Sequence, residues 1–556
     1  MGVIARQSIK GTVVTYLGVF VGFLTTFFVL TRFLSAEEIG LARVLIDTGT
    51  LFIGLAQLGT SSSIIRFFPY FKRNGVPSPS PSIAEGDAVA QGLSSRDRAT
   101  HFSGAGGRAE RGSRRTIPGL NPGGAKRTAL NSHNGFFFWT VIIPLFGFTL
   151  LTFIYWRLHD PIAGVFDEKS ALFVDYYYAV LPLAFFMLYQ TIFETNANVL
   201  MRIVFPRAVR ELFLRLFLLA AYLLYAFRIV SMDGFVMLLC GAYGLAALMN
   251  IIYLFACGHI SLRPDFHFVT RDLARKYLLY TLFQITAAIA TVLAPFISSY
   301  YITATMGLEY TGIFAIATYI ATMVAIPNRS LNAIANPQLA QTTKDADHEG
   351  LTRLLRQVSN NSFLVGALIL ALIWLNIDLI FLILPNGDTY AVARFVVLFL
   401  GLSQLFIATF NATISVLNYS RFYALSLLFS IILTVTAILF NNSLIPLFGM
   451  NGAALANLFS YALYFVFILL TLALCLRTSP FCTGHLKTLT LLLLLFAIGA
   501  LIDCLLPFGD AVVPLIRNSV LKTVAWCLTL FLAYRWRISP ELNQTVQKAL
   551  RDRLKK

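Results

Sequence analysis

Apolar segments of about twenty residues recur from one end of this chain to the other, and nothing else in the sequence limits the fold as strongly. Roughly 20 apolar residues are what an α-helix needs to cross a ~30 Å hydrocarbon core. A transmembrane β-barrel alternates polar and apolar residues over short strands instead. Of 556 residues, 57 % are hydrophobic and 12 % charged, and mean hydropathy is +0.74, where soluble domains carry about 25 % charged residues. These features define an all-α polytopic membrane protein. Hydropathy predicts about fourteen transmembrane helices, over 9–32, 40–69, 134–156, 171–200, 206–229, 234–258, 276–304, 310–335, 359–384, 391–418, 421–446, 450–475, 486–508 and 515–537. The first window has Arg6 and Lys10 ahead of it and "LSA" near residue 36, as a signal peptide does. Its apolar run is longer than the 7–15 residues of such a peptide, so a retained first helix is expected.

Lysine and arginine set the expected orientation. One set of alternate connections carries Arg6 and Lys10, Lys72 and Arg73, Arg202 to Arg210, Arg263 to Lys276, Lys344 to Arg356, Arg421, Arg477 and Lys487, and the tail from Arg535. The opposite set is nearly bare of base and holds Glu37, Glu38, Asp167, Glu168, Glu309 and Asp510. The positive-inside rule then places both termini in the cytoplasm, as an even helix count requires. The net charge of +17 follows from this bias and from attraction to anionic membrane lipids, so it does not imply nucleic acid. The six cysteines lack metal or disulfide spacing, and neither a metal nor a cofactor is expected.

Two faint internal matches suggest a duplicated architecture. "AEEIGLARV" (36–44) aligns with "LEYTGIFAI" (308–316) at an offset of 272, pairing Glu37 with Glu309 and Gly40 with Gly312. "QTIFETNANVLMRIVFPR" (190–207) aligns with "QLFIATFNATISVLNYSR" (404–421) at an offset of 214, pairing Gln190 with Gln404 and Arg207 with Arg421. The offsets differ by 58, so the first half gained about that many residues between its second and fourth helices. Residues 72–133, rich in Gly, Pro, Ser and Arg, are that insertion, too polar to bury a core of its own. It is either a passive cytoplasmic linker or a basic tether. The expected units are an N-lobe over 1–262 (helices 1–6, interrupted by 72–133), a C-lobe over 263–478 (helices 7–12), and two further helices with a basic tail over 479–556.

Polar residues inside the apolar windows are the candidate site. Gln190, Glu194, Asn198 and Arg202 recur every fourth position, each turned about 40° from the last, and form one ridge on the fourth helix. Glu194 lies about 12 Å from the expected cytoplasmic end at 1.5 Å per residue. A carboxylate facing lipid there costs at least about 2.5–3.5 kcal/mol, so the ridge must face protein or water. On the related tenth helix Gln404, Asn411 and Asn418 recur every seventh position. The two ridges point either to an aqueous cavity between the lobes or to hydrogen bonds within each lobe. The second helix adds Arg43 and Asp47, spaced to pair, and Arg66 near the boundary; the eighth adds Arg329 behind Pro327. Arginine clamps phosphate bidentately. Asp47 and Glu194 are the carboxylates available for coupling to H+ or Na+. Asp378, beside Trp374 and Asn376, is expected near the outer interface in a structural role.

"LSAEEIGLARVLIDTGTLFIGLAQLGTSSSIIRFFPYF" (34–71) resembles the first loop and second helix of the bacterial polysaccharide flippases, where "S.EE.G" precedes a helix ending in "LG…RF". "FGMNGAALANLFSYALYF" (448–465) resembles their twelfth-helix motif "G..GAA.A….SY". The family lies within the multidrug/oligosaccharidyl-lipid/polysaccharide exporter superfamily, and the resemblance spans the chain apart from residues 72–133, where the family has a short connection. It implies a V-shaped pair of lobes with alternating access in a bacterial inner membrane. It also implies movement of an undecaprenyl-pyrophosphate-linked oligosaccharide to the outer leaflet, driven by an ion gradient, beside polysaccharide-assembly enzymes. The superfamily's peptidoglycan-precursor flippases carry a denser set of basic cavity residues than stands here. Two other readings are an exporter of organic cations on the same fold, and a membrane O-antigen polymerase or ligase, which would place a long loop outside.

Overall fold

The computed structural model describes residues 3–64, 136–200, 202–256, 275, 277, 293–345, 347–506, 512–536 and 538. The 72–133 insertion, the basic tail and most of the seventh expected span lie outside the described residues. All regular structure among the described residues is helical. Ten helices are individually long and apolar enough to cross a membrane, and a pair bent by 62° supplies an eleventh.

The first span, α1, runs as Val3–Leu24, a π-turn segment Thr25–Leu30 and Thr31–Phe33. Then come α2 (Ala36–Ala56), α3 (Phe136–Arg157), α4 (His159–Asp175) and α5 (Val180–Val199). The next span, α6, is Val204–Ala208, the π-turn segment Val209–Phe213 and Leu214–Ala226, followed by α7 (Met232–Ala256). The second half begins with α8 (Ile297–Thr305), α9 (Leu308–Thr322), α10 (Ile326–Lys344) and α11 (His348–Leu375). Two short helices, α12 (Ile377–Ile383) and α13 (Gly387–Ala391), lead to α14 (Arg394–Tyr419), α15 (Tyr423–Cys475), α16 (Thr483–Leu505) and α17 (Val512–Arg535).

Several boundaries differ from the hydropathy windows for local reasons. The second span starts at Ala36 because Ser35 caps it: its hydroxyl accepts from the Glu38 amide while Glu38 accepts from the Ser35 amide. It breaks after Ala56, where Leu58 and Gly59 take positive φ of 46° and 67°, and resumes at 60–64. The stretch expected as a plain loop before the fourth span is instead α4, whose amphipathic sequence gave no long apolar run. The expected eleventh and twelfth spans are the two arms of α15, which turn at Gly449 (φ 57, ψ −134). Phe429 stacks on Phe467 and Phe440 meets Phe459 edge-on, so the arms run antiparallel. The fifth span is not among those ten because Arg207, Arg210, Glu211 and Arg215 crowd its first half. There it packs closely on α1, and a side chain on Gly18 of α1 would strike the Glu211 carbonyl of α6.

In the first half α5 packs on α7, α2 and α3, and α6 packs on α1 and α7; in the second, α14 packs on α15, α11, α9 and α10. The last pair, α16 and α17, leans on α11. The halves meet chiefly where α2 crosses α9. A Cβ on Gly40 would run into the Leu308 carbonyl oxygen, and one on Gly312 into the Ala36 carbonyl oxygen. Both pairs are related by 272 positions, the offset of the first sequence match. Small residues let helix backbones approach in hydrocarbon, where dispersion replaces the hydrophobic effect as the driving force. The seam continues with Phe27 against Tyr319, ring centroids 6.0 Å apart, and with Tyr300 hydrogen-bonded to Thr48 at 2.8 Å. This seam lies at the helix ends opposite Val3 of α1 and Arg535 of α17, called distal below.

Candidate functional site

Directly beneath the glycine crossing, α2 carries Arg43 and Asp47 one turn apart, and their side chains pair, Nε to Oδ2 at 2.8 Å. Asp47 is 3 % exposed, while the Arg43 side chain remains 36 % exposed. One residue on, the Tyr300 hydroxyl of α8 donates to Thr48 Oγ1 at 2.8 Å. Asp47 therefore sits beside a hydrogen bond that joins the two halves.

The fourth-helix ridge has a different environment from the open cavity that was one of its two alternatives. Glu194, on α5, is 7 % exposed and pairs with Arg210 of α6 at 2.8 Å. Arg210 also meets Glu211, and Glu211 meets Arg215, whose guanidinium donates to the Gly18 carbonyl of α1 at 2.7 Å. This chain of charge ties α5, α6 and α1 within one lobe. Burial without a partner would be prohibitive for Glu194, and the neighbouring helix supplies the partner. Gln190 is buried too, with Nε2 unpaired among the described residues; Asn198 is half-buried and Arg202 exposed.

On α14 the corresponding ridge is open. Gln404 and Asn411 are half-buried and Asn418 is exposed, whereas Ser403, Thr409 and Thr413 of the opposite face are buried. Helix 8 is interrupted as Pro327 suggested: α9 gives way to a 3-10 turn at Met323–Ala325 before α10 begins. Arg329 follows that break and is exposed, and among the described residues no carboxylate pairs with it. The structure thus gathers Arg43 with Asp47, keeps Glu194 inside the first lobe, and leaves Arg329 and the α14 ridge open. Arg66 lies outside the described residues. Asp378 pairs with Arg394 at 3.0 Å, and that arginine stacks over Trp374, a structural arrangement at the α11–α14 connection.

Two features went unread in the sequence. Between α11, α14 and α16 lies a cavity of about 470 Å³, walled by Phe363, Leu402, Phe406, Phe410, Phe481 and Leu489. All of these residues but Phe481, which lies in the connection before α16, belong to apolar windows, so periodicity gave no sign of a groove. The second is a buried pair in the last two helices, Asp503 with Lys522, whose ammonium reaches both carboxylate oxygens at 2.7 and 2.8 Å. Two opposite charges inside adjacent apolar windows were the available signal.

The closest packing, the divided eighth helix and the antiparallel final pair can be set beside solved structures. A lipid II flippase, MurJ, in an inward closed conformation superposes with a TM-score of 0.59 over 95 % of this chain and 100 % of its own, at 11 % identity. The fold is that of the MOP-superfamily transporters. An inward-facing multidrug resistance MATE transporter of that superfamily matches with a TM-score of 0.53 at 14 % identity, covering 86 % of this chain and 97 % of its own. A point mutant of the Vibrio cholerae MATE transporter VcmN matches with a TM-score of 0.52 at 13 % identity, covering 84 % and 98 %. No family model and no curated protein matches the sequence.

Proposed function

We propose that this protein is a flippase for lipid-linked oligosaccharides, carrying an undecaprenyl-pyrophosphate-linked sugar from the cytoplasmic to the outer leaflet of a bacterial inner membrane. The observation that carries this reading is an open polar ridge and an apolar groove on opposite faces of one helix, α14, with the exposed Arg329 on the adjoining α10. A charged, hydrated headgroup cannot cross hydrocarbon unaided, while its lipid chain is most stable there, so a carrier of such an amphiphile needs both environments. Arg329, without an acidic partner among the described residues, is free to meet a pyrophosphate, for which a guanidinium fork is suited. The carboxamides of Gln404, Asn411 and Asn418 match sugar hydroxyls, and the aromatic groove next to Phe406 suits an isoprenoid chain.

On this reading both termini are cytoplasmic, the distal side faces outward, and the lobes are the units 1–262 and 263–478. Asp47, beside a hydrogen bond that joins the two halves, is the carboxylate placed to couple lobe movement to H+ or Na+. An exporter of organic cations would use unneutralised buried carboxylates, and both candidates here, Asp47 and Glu194, are already paired with arginine.

The test is genetic. Deleting the gene should remove surface polysaccharide and build up a lipid-linked oligosaccharide in the inner leaflet. Complementation with Arg43→Ala or Arg329→Ala should leave that defect in place. Full surface polymer from both variants at normal protein level would sink the site assignment. Protease cleavage of the 72–133 segment from the outside only would revive the polymerase or ligase reading.

A further inference from the structure

The distal seam carries, besides the glycine crossing, a second pair of contacts whose acceptors are 272 positions apart, while their donors, Ser170 and Asn386, come from the matching connection of each half. Ser170 of α4, in the first half, donates its hydroxyl to the Thr303 carbonyl at the end of α8, in the second half, at 2.7 Å. Asn386, between α12 and α13 in the second half, donates its side-chain amide to the Thr31 carbonyl at the end of α1, in the first half, at 2.8 Å. Thr31 and Thr303 are equivalent positions. Each is fully buried, and each hydroxyl donates one turn back, Thr31 to the Phe27 carbonyl and Thr303 to the Ser299 carbonyl, again an equivalent pair. The last turn of a helix leaves carbonyls without an intrahelical donor. Here the donor for each is brought by the opposite half of the molecule.

The two donors also occupy matching places in the chain. Each sits in the connection between the third and fourth spans of its half, and each stands where the backbone leaves helical geometry. Ser170 interrupts α4 with φ −145 and ψ 42. Asn386 is left-handed, φ 53, a conformation asparagine tolerates in turns. Around Ser170 the fit is close: Gly307, with φ +105, brings its Cα against the Lys169 carbonyl, where a side chain would not fit.

We propose that these arms are paired latches of a distal gate. Each half reaches across with one side chain to hold the end of the other half's first helix, the glycine crossing closes the space beneath, and distal opening requires both bonds to break. The inference builds on the transport reading for its purpose but not for its test, which measures access and needs no cargo.

The experiment uses the full chain with its native cysteines replaced and one reporter, Thr48→Cys, below the seam, in membrane vesicles of both orientations. A membrane-impermeant maleimide is applied to the distal side. The latched parent should label slowly from that side. Ser170→Ala should raise the distal rate about fivefold to tenfold, Asn386→Ala about twofold to fourfold because its bond is only part-buried where the Ser170 bond is buried, and the double variant more than either. Ser170→Thr, which keeps the hydroxyl, should label like the parent. Gly312→Ala, which wedges the crossing, should also raise distal labelling. An unchanged distal rate in the double variant, or a change in one single variant alone, overturns the paired latch. Should the double variant assemble poorly, the two single variants and the threonine control carry the decision. Raised distal access in cells that make no lipid-linked oligosaccharide would uphold the latch independently of the cargo, whose own test is the loss of surface polysaccharide.

Discussion

The Asp503–Lys522 pair offers the sharpest energetic test of how the last two helices are held. Lys522 is 4 % exposed, while the Asp503 side chain is 30 % exposed, and this asymmetry fixes the order of effects. Replacing Asp503 by Leu strands a buried ammonium between α16 and α17, and breaking a buried pair in this way costs about 3–5 kcal/mol. Replacing Lys522 by Met instead leaves a carboxylate that water reaches and that the Asn518 side-chain amide still approaches at 3.5 Å; an under-satisfied group of that kind costs about 1–2 kcal/mol. Removing both charges, as Asp503→Leu with Lys522→Met, should lie near the parent, because two apolar groups of similar volume need no partner. The coupling energy of the cycle is then about 3 kcal/mol or more, a factor of about 10² in the unfolding equilibrium. Equilibrium unfolding in mixed detergent micelles, followed by Trp526 fluorescence at the α17–α11 contact, reads this directly. Single-variant effects that simply add in the double variant, within about 0.5 kcal/mol, would show that the pair does not hold the hairpin.

Other outcomes follow from the same geometry. Gly449→Ala forces a side chain into a backbone conformation that essentially only glycine adopts, at about 1–3 kcal/mol, and should lower the amount of folded protein recovered from membranes. Ser35→Ala removes the cap of α2 and should cost about 1 kcal/mol, whereas Ser35→Asp should be neutral in the same unfolding assay. Glu194→Gln should lower stability by at most about 1 kcal/mol, since the freed Arg210 is half-exposed and can hydrate, and surface polymer should stay above half of normal; its loss at normal protein level would return Glu194 to the transport path.

The helical class and the duplicated plan were legible because both depend on short-range properties: apolar run length and a few fixed positions. The match of Gly40 with Gly312 proved the most informative, since the glycines are required by a backbone contact that leaves no other choice. The Arg43–Asp47 pair was legible for a similar reason, its spacing alone making it possible. Glu194 was not, because its partner Arg210 lies sixteen residues away across a turn, and a ridge on one helix does not tell which neighbour faces it. The α4 helix escaped notice because an amphipathic helix at the membrane surface needs no long apolar run. The groove between α11, α14 and α16 is a property of three packed surfaces and has no counterpart in any one segment.

The contacts between the halves have the character of an isologous interface, the kind by which two identical subunits form a dimer with a twofold axis. Leu308 meets Gly40 as Ala36 meets Gly312, and the same rule relates the two threonine carbonyls, each held by a donor from the opposite half. Such an interface is self-limiting: it closes on itself and offers no surface for a third partner. It also has a mechanical meaning within one chain. A rotation about the axis loosens both copies of every contact equally, so neither half serves as a fixed base for the other. Any unequal load on the halves, such as a cargo or an ion bound to one of them, would then act first by breaking that equality.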